Sequence, residues 1–184
     1  GPLAHAEGVD GDDGAIAERA HLFRSQGERT RYVTDDLGYN FRMTEMAAAL
    51  GHAQLPKLDA RNERRRANAA RLNELLAGLD ALELPREAPG RAHVWHQYTV
   101  RVKSGRDARD ALQASLRERG IETAVFYPAP IHRQPLYRRL GYGEWDLPVA
   151  QRLSDEVLSL PVHPALAAGD LETIAGAVRA CLAA

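Results

Sequence analysis

The strongest constraint on the fold is a stretch in which apolar and polar residues alternate. It covers residues 94–103, where Arg101 separates Val100 from Val102. Successive side chains of a strand point to opposite faces, so a period of two predicts a strand with one buried face. Such a strand needs partner strands beside it and helices over its apolar face.

The residues that follow supply both kinds of partner. In chain order, their spacing predicts a helix at 108–120, a strand at 121–127, a helix at 148–156, a strand at 157–162 and a final amphipathic helix at 171–182. Strands separated by helices of this length predict a small α/β domain. We expect about three strands in its sheet, with helices packed on one face.

The earlier part of the chain has no strand pattern. Asp13 is placed to cap a helix that ends near Gly27, and residues 28–42 are polar and predict a connecting loop. Thr44 is placed to cap a second, long helix. Pro56 lies within that helix and is expected to kink or break it, because proline has no amide hydrogen to donate.

These patterns divide the chain into three parts. We interpret residues 1–43 as a remnant of a larger domain, residues 44–84 as a bridging helix and residues 85–184 as the small α/β domain. An apolar stripe on the first helix, formed by Ile16, Ala20 and Phe23, needs a partner to cover it.

Composition argues against several classes of function. A net charge of -1 gives the chain no general attraction for nucleic acid or an anionic membrane, and no run of about 20 apolar residues is present to span a bilayer. The arginine-rich stretch from Arg61 to Arg71 is therefore interpreted as a solvated helix face. Cys181 is the single cysteine, which excludes an internal disulfide and favours a reducing, cytoplasmic setting.

The segment from Gly38 to Glu45 is a candidate anion site. Asn40 and Arg42 bring an amide and a guanidinium to the start of the helix capped by Thr44, and all three can donate hydrogen bonds to a phosphate. The alternative is that Asn40 and Arg42 only cap the helix and form local pairs.

Histidines form the other candidate positions. His93 and His96 would lie on opposite faces of a strand, so they are not expected to share a metal ion. His132 follows two prolines and is close in sequence to the phenol of Tyr127, an arrangement compatible with a polar pocket. The alternative for His132 is a structural turn histidine.

Four segments together resemble the DegT/DnrJ/EryC1/StrS family of aminotransferases. In chain order they are GYNFRMTEMAAALGHAQLPKLDARNERRRANAARL, HVWHQYTVRV, RERGIETAVFYPAPIHRQPLY and VLSLPVHPAL. The resemblance implies the C-terminal small domain of a fold-type I enzyme dependent on pyridoxal phosphate, preceded by a long bridging helix. It also implies a homodimer that transfers an amino group from an amino-acid donor to a nucleotide-linked keto sugar.

The resemblance assigns roles to four residues. It implies that Asn40 reaches into the neighbouring subunit to bind the cofactor phosphate and that Arg42 supports the same site. It implies that Tyr127 and His132 line the entrance for the nucleotide sugar, again across the dimer.

The family's Schiff-base lysine has no counterpart here. The family places it a few residues before a glycine-rich turn, of which only residues 6–9 remain, so we expect it just upstream of residue 1. Lys57 and Lys103 are the only lysines, and neither lies in that context. Since transamination needs a lysine to hold the cofactor and move a proton, this chain alone is predicted to be inactive, with no catalytic residue of its own.

Three alternatives remain open. The chain could be a stand-alone binding or regulatory module of the same fold. It could belong to a dehydratase relative, in which histidine replaces the lysine. Nucleic-acid binding through the helix containing Arg61 to Arg71 depends only on local charge and would require binding that weakens with salt.

Overall fold

The computed structural model describes residues 14–183 and divides the chain into two compact units, Gly1–Leu58 and Asp59–Ala184. In the described part, no helix is long and apolar enough to cross a membrane. The three-part division predicted from the sequence stays a prediction.

The first unit is mainly helical. Its elements are α1 (Gly14–Arg24), β1 (Glu28–Thr30), β2 (Val33–Thr34), α2 (Glu45–Gln54) and a 3-10 turn at Leu55–Lys57. β1 and β2 form a small antiparallel hairpin, so the prediction of a loop without regular structure over residues 28–42 was incomplete. Tyr32 closes the hairpin with a positive φ of 68°, a conformation that residues other than glycine rarely adopt.

The first helix begins at Gly14, so its predicted cap at Asp13 lies outside the described residues. Leu22 is its buried residue. The predicted apolar stripe is present but exposed, since Ile16, Ala20 and Phe23 all face solvent.

The prediction of a second helix capped by Thr44 and broken near Pro56 is confirmed. The Thr44 hydroxyl accepts a hydrogen bond from the Ala47 amide at 3.2 Å. α2 ends at Gln54, the 3-10 turn containing Pro56 follows, and α3 (Leu58–Leu76) begins directly after it.

The second unit is built around a three-stranded sheet. Its other elements are β3 (Leu82–Glu83), β4 (Tyr98–Val102), α4 (Arg106–Glu118), α5 (Pro135–Arg139), α6 (Pro148–Glu156), β5 (Val157–Leu160) and α7 (Ala168–Leu182). The strand order is β3-β4-β5, and both pairs are antiparallel. The predicted α/β class and the number of strands are therefore confirmed.

The apolar face of β4 explains the core. Tyr98, Val100 and Val102 are buried, whereas the alternate residues Thr99 and Arg101 are only half-buried, which confirms the period of two. The core against this face is completed by Leu72 and Leu76 of α3, Leu112 and Leu116 of α4, and Leu171, Ile174 and Val178 of α7.

Burial also affects the chemistry of Tyr98. Its hydroxyl donates to Asn73 Oδ1 at 2.7 Å. Desolvation raises the pKa of Tyr98, so the phenol stays protonated and keeps this hydrogen bond.

Two strand predictions need correction. The alternating stretch becomes a strand only from Tyr98, because Trp95 has a positive φ of 50° and its amide donates to His93 Nδ1. His93 and His96 therefore precede the strand, and the argument that placed them on its opposite faces was wrong. Residues 14–183 contain no group of three His, Cys, Asp or Glu side chains able to hold a metal ion.

The predicted strand at 121–127 was also wrong. This segment pairs with β5 at one position, where Ala124 and Ser159 exchange two backbone hydrogen bonds of 3.2 and 2.8 Å. The neighbouring Thr123 carbonyl accepts instead from the side chain of Gln113 at 3.1 Å. The third strand is β3, which lies at the end of the segment interpreted as the bridging helix, residues 44–84.

Candidate functional site

Two glycines fix the loop that contains Asn40. A Cβ on Gly38 would lie 2.0 Å from the Gly27 amide nitrogen, and a Cβ on Gly27 would lie 1.7 Å from the Asp36 carbonyl oxygen. Only glycine permits this approach, and Gly27 also has a positive φ of 72°. The backbone after α1, at Gly27, and the backbone of the loop, at residues 36–38, therefore interlock.

Backbone hydrogen bonds then tie the loop to the end of α1. The Tyr39 amide donates to the Phe23 carbonyl at 2.7 Å, and the Phe41 amide donates to the Arg24 carbonyl at 2.9 Å. Asn40 forms a bridge with Ser25 between these two contacts. The loop is thus shaped by the first unit itself.

Three aromatic rings support the loop on one side. The ring centroids of Phe23, Tyr39 and Phe41 lie 5.1 to 5.8 Å apart. Tyr39 and Phe41 flank Asn40 in an extended segment, so their rings point away from the Asn40 side chain. Sequence analysis missed this cluster, although the alternation of Tyr39 and Phe41 around Asn40 was a signal for it.

The candidate anion-binding residues are paired and exposed. Arg42 Nε donates to Asn40 Oδ1 at 3.2 Å. This contact engages the carbonyl end of the Asn40 amide, so its NH₂ group faces away with its two donors. Thr44, and not Asn40 or Arg42, caps α2.

This arrangement suits a phosphate group. An amide NH₂, a guanidinium and the first turn of α2 all offer hydrogen-bond donors to an anion. Glu45 is an acidic residue in that first turn and opposes an anion there, which leaves Asn40 and Arg42 as the main donors. The residues present therefore fit the phosphate end of a phosphorylated cofactor.

Neither lysine belongs to this loop. Lys57 lies in the 3-10 turn after α2, and Lys103 lies directly after β4 in the second unit. Both side chains are exposed to solvent.

The second candidate pair lines a groove in the second unit. This groove has a volume of about 1060 Å³ and includes Tyr127 and His132 in its wall. Tyr127 is 73% exposed, so its phenol is accessible. A polar pocket was one of the two interpretations of His132 from the sequence, but most lining residues are aromatic or aliphatic, among them Tyr137, Tyr142, Trp145, Leu140 and Leu147. The later aromatic segment, which the sequence-based interpretation did not use, lines the same groove as Tyr127.

His132 is buried in a single turn of 3-10 helix, Ile131–Arg133. Its Nε2 atom has no hydrogen-bond partner within the part of the chain that the structure describes. An unpaired buried ring nitrogen costs free energy unless a ligand or another partner satisfies it. This marks His132 as an unpaired polar group in a mostly apolar wall.

The structure therefore groups the four predicted residues in two pairs. Asn40 and Arg42 contact each other in the first unit. Tyr127 and His132 line one groove in the second unit.

Comparison with known proteins gives a consistent picture. The model of the DegT/DnrJ/EryC1/StrS aminotransferase family matches residues 3–179. A pleiotropic regulatory protein of Geobacillus stearothermophilus is 44% identical over 84% of this chain and 41% of its own length. The dTDP-3-amino-3,4,6-trideoxy-alpha-D-glucose transaminase of Streptomyces venezuelae is 39% identical over 94% of this chain and 46% of its own length.

A solved structure extends the similarity to the fold. NtdA from Bacillus subtilis, with bound cofactor PMP, superposes with a TM-score of 0.85 at 25% identity, over 94% of this chain and 41% of its own. The chain thus spans less than half the length of these proteins.

Proposed function

We propose that this chain, which belongs to the DegT/DnrJ/EryC1/StrS aminotransferase family, forms part of a pyridoxal-phosphate-dependent enzyme that aminates nucleotide-linked keto sugars. Support comes from a relative that is a dTDP-amino sugar transaminase and from a similar structure with bound PMP. Because the chain spans less than half of their length, activity, substrate and partners are proposed for the whole protein.

The observation that carries this proposal is the interlocked loop of Asn40 and Arg42. The contact between Gly27 and Gly38 shapes the loop before any ligand binds. The hydrogen bond from Arg42 to Asn40 Oδ1 orients the Asn40 amide so that its NH₂ group faces away from Arg42. Donors fixed in advance bind an anion without a further loss of conformational entropy. Asn40 is proposed to donate to the cofactor phosphate of a second subunit, with Arg42 holding Asn40 in place and adding positive charge.

The cofactor would supply the carbonyl and electron sink through which an amino group passes from donor to sugar. This chain's residues would anchor its phosphate and so fix the position of its ring. The lysine that holds such a cofactor is proposed to be neither Lys57 nor Lys103, because neither lies just before the glycine-rich turn of the family pattern.

Tyr127 and His132 are proposed to contact the sugar nucleotide. The exposed phenol of Tyr127 can donate to or accept from a substrate hydroxyl or phosphate oxygen. His132 Nε2 lacks a partner in the described residues, and a small shift of the groove wall would let a ligand satisfy it.

A second candidate is a non-catalytic regulatory module of the same fold. The specific observation in its favour is the 44% identity to a protein described as a pleiotropic regulatory protein. The two candidates differ in whether an amino group is transferred.

An aminotransferase assay distinguishes them. The protein that contains this chain is loaded with pyridoxal phosphate and supplied with glutamate and a dTDP-linked keto sugar, and the products are separated by anion-exchange chromatography and identified by mass spectrometry. We expect an amino sugar nucleotide and 2-oxoglutarate in equal amounts. If no donor or sugar yields a product while the cofactor stays bound, the regulatory candidate replaces the enzyme.

The same assay tests the two lysines. Lys57→Ala and Lys103→Ala are each expected to keep kcat within about threefold of the unchanged protein, which corresponds to well under 1.4 kcal/mol in the barrier. Both side chains are exposed, so neither change should disturb folding. Loss of all activity in either variant, with normal unfolding, would assign the cofactor lysine to this chain.

A further inference from the structure

We infer that the ring of Phe23 is a positioning group for the cofactor phosphate, because it fixes the direction of Asn40 through the residues on either side of it. This inference rests on the proposed function and adds a residue of another element to the phosphate site. Phe23 lies on α1, whereas Asn40 lies in the loop between β2 and α2. A phenyl ring has no hydrogen-bond donor for a phosphate, so Phe23 acts through its neighbours.

Backbone hydrogen bonds hold the loop to α1 along one edge. The Tyr39 amide donates to the Phe23 carbonyl at 2.7 Å, and the Phe41 amide donates to the Arg24 carbonyl at 2.9 Å. In an extended segment, the backbone groups of residues 39 and 41 point to the same edge, and those of Asn40 point to the other. These bonds leave the segment able to roll about the line that joins them, and a roll would change the direction of the Asn40 side chain.

Three aromatic rings resist this roll. Phe23 meets Tyr39 edge to face, with centroids 5.1 Å apart and planes at 68°, and meets Phe41 at 5.8 Å and 53°. Tyr39 and Phe41 stack on each other at 5.2 Å and 17°. Both rings leave the segment on the face opposite the Asn40 side chain, so they lie away from the line of hydrogen bonds. A roll would pull them from Phe23 and lose both aromatic contacts.

Phe23 and Arg42 fix different parts of Asn40. The hydrogen bond from Arg42 Nε to Asn40 Oδ1, at 3.2 Å, orients the side-chain amide. The ring of Phe23 fixes the backbone that carries this amide. With both fixed in advance, the NH₂ donors need no reordering when a phosphate arrives.

The ring of Phe23 contributes little to the folded core. It is 46% exposed, and Leu22 is the buried residue of α1. Replacing Phe23 is therefore expected to loosen the phosphate loop without unfolding the first unit.

A double-mutant cycle tests the inference in the protein that contains this chain, with pyridoxal phosphate and pyridoxal as ligands and the dissociation constant as the readout. Phe23→Ala is expected to weaken pyridoxal phosphate about tenfold and to leave pyridoxal, which lacks the phosphate, within about twofold. Phe23→Tyr keeps the ring and should stay within about twofold for both ligands. In the Asn40→Ala background, Phe23→Ala should weaken pyridoxal phosphate no further, because the ring acts through Asn40.

Ile16→Ala is the matched control. Ile16 is 57% exposed on the same helix and lies seven residues before Phe23, about 10 Å along the axis. This change should leave the affinity for both ligands unchanged.

A second measurement needs no cofactor. The chain has four asparagines, so selective isotope labelling of asparagine gives few side-chain amide signals in a nuclear magnetic resonance spectrum. The Asn40 signal is assigned by its loss in Asn40→Ala. Its order parameter should fall in Phe23→Ala and stay unchanged in Phe23→Tyr and Ile16→Ala.

Three results would overturn the inference: additive losses for Phe23→Ala and Asn40→Ala, unchanged affinity of Phe23→Ala for pyridoxal phosphate, or equal weakening of both ligands by Phe23→Ala. If Asn40→Ala weakens pyridoxal phosphate and Phe23→Ala does not, only the positioning role fails. If both variants weaken pyridoxal phosphate as expected but no amino sugar forms, only the aminotransferase fails. An Asn40→Ala variant that binds pyridoxal phosphate as tightly as the unchanged protein contradicts both roles at the phosphate.

Discussion

Gly38→Ala is expected to lower the affinity of the proposed enzyme for pyridoxal phosphate about a hundredfold, because about 3 kcal/mol of steric strain would fall on the phosphate loop. The new Cβ would lie 2.0 Å from the Gly27 nitrogen and 2.6 Å from the Leu22 carbonyl oxygen. Both atoms belong to the backbone, so no change of rotamer can relieve the overlap, and the loop must separate from α1. The dissociation constant is measured from the cofactor's absorbance on titration.

Gly51→Ala is the matched control. Gly51 lies in α2 with open space around it, so an added methyl group contacts nothing. Alanine should leave cofactor affinity unchanged and stabilise the helix by up to about 1 kcal/mol. If Gly38→Ala binds the cofactor as tightly as Gly51→Ala, the interlocked loop does not hold the phosphate.

Arg109→Ala is expected to lower the free energy of unfolding of the second unit by about 2 to 3 kcal/mol. Arg109 lies on α4 and is only 2% exposed. Its guanidinium donates to the carbonyl oxygens of Ser154 at 3.3 Å and Val157 at 3.1 Å, and to Asp110 Oδ1 at 2.5 Å. The variant would leave the Ser154 and Val157 carbonyl oxygens without this donor beside a cavity, where α6 joins β5 in one wall of the groove.

Urea unfolding followed by circular dichroism measures this loss. Arg117→Ala on the same helix is the control, because Arg117 is exposed and has no ion pair among the described residues. We expect that change to cost no more than about 0.5 kcal/mol. Equal unfolding midpoints for the two variants would show that the buried guanidinium does not join α4 to the groove wall.

Elements determined by neighbours within a few residues were predicted correctly, whereas elements determined by tertiary contacts were not. The cap at Thr44 and the break at Pro56 follow from neighbours within a few residues, and both were predicted correctly. The strand at 121–127 failed because a tertiary contact from Gln113 takes the Thr123 carbonyl. β3 is two residues long, too short to show any period.

In the candidate site, too, the local features could be predicted and the tertiary ones could not. Asn40 and Arg42 lie two residues apart in one loop, so their donor chemistry could be predicted from the sequence, and the structure pairs them. The aromatic wall could not be predicted, because Trp145 and Tyr142 lie in a segment without a period. Only the fold brings that segment beside Tyr127.

The central claim is that Asn40 binds the phosphate of the cofactor, and comparing pyridoxal phosphate with pyridoxal tests it most directly. Both ligands are titrated into the unchanged enzyme and into Asn40→Ala. Losing a hydrogen bond to a charged group should weaken pyridoxal phosphate about 10- to 100-fold. Pyridoxal, which lacks the phosphate, should bind both proteins equally. Equal weakening of both ligands, or no weakening of either, would contradict the phosphate role of Asn40.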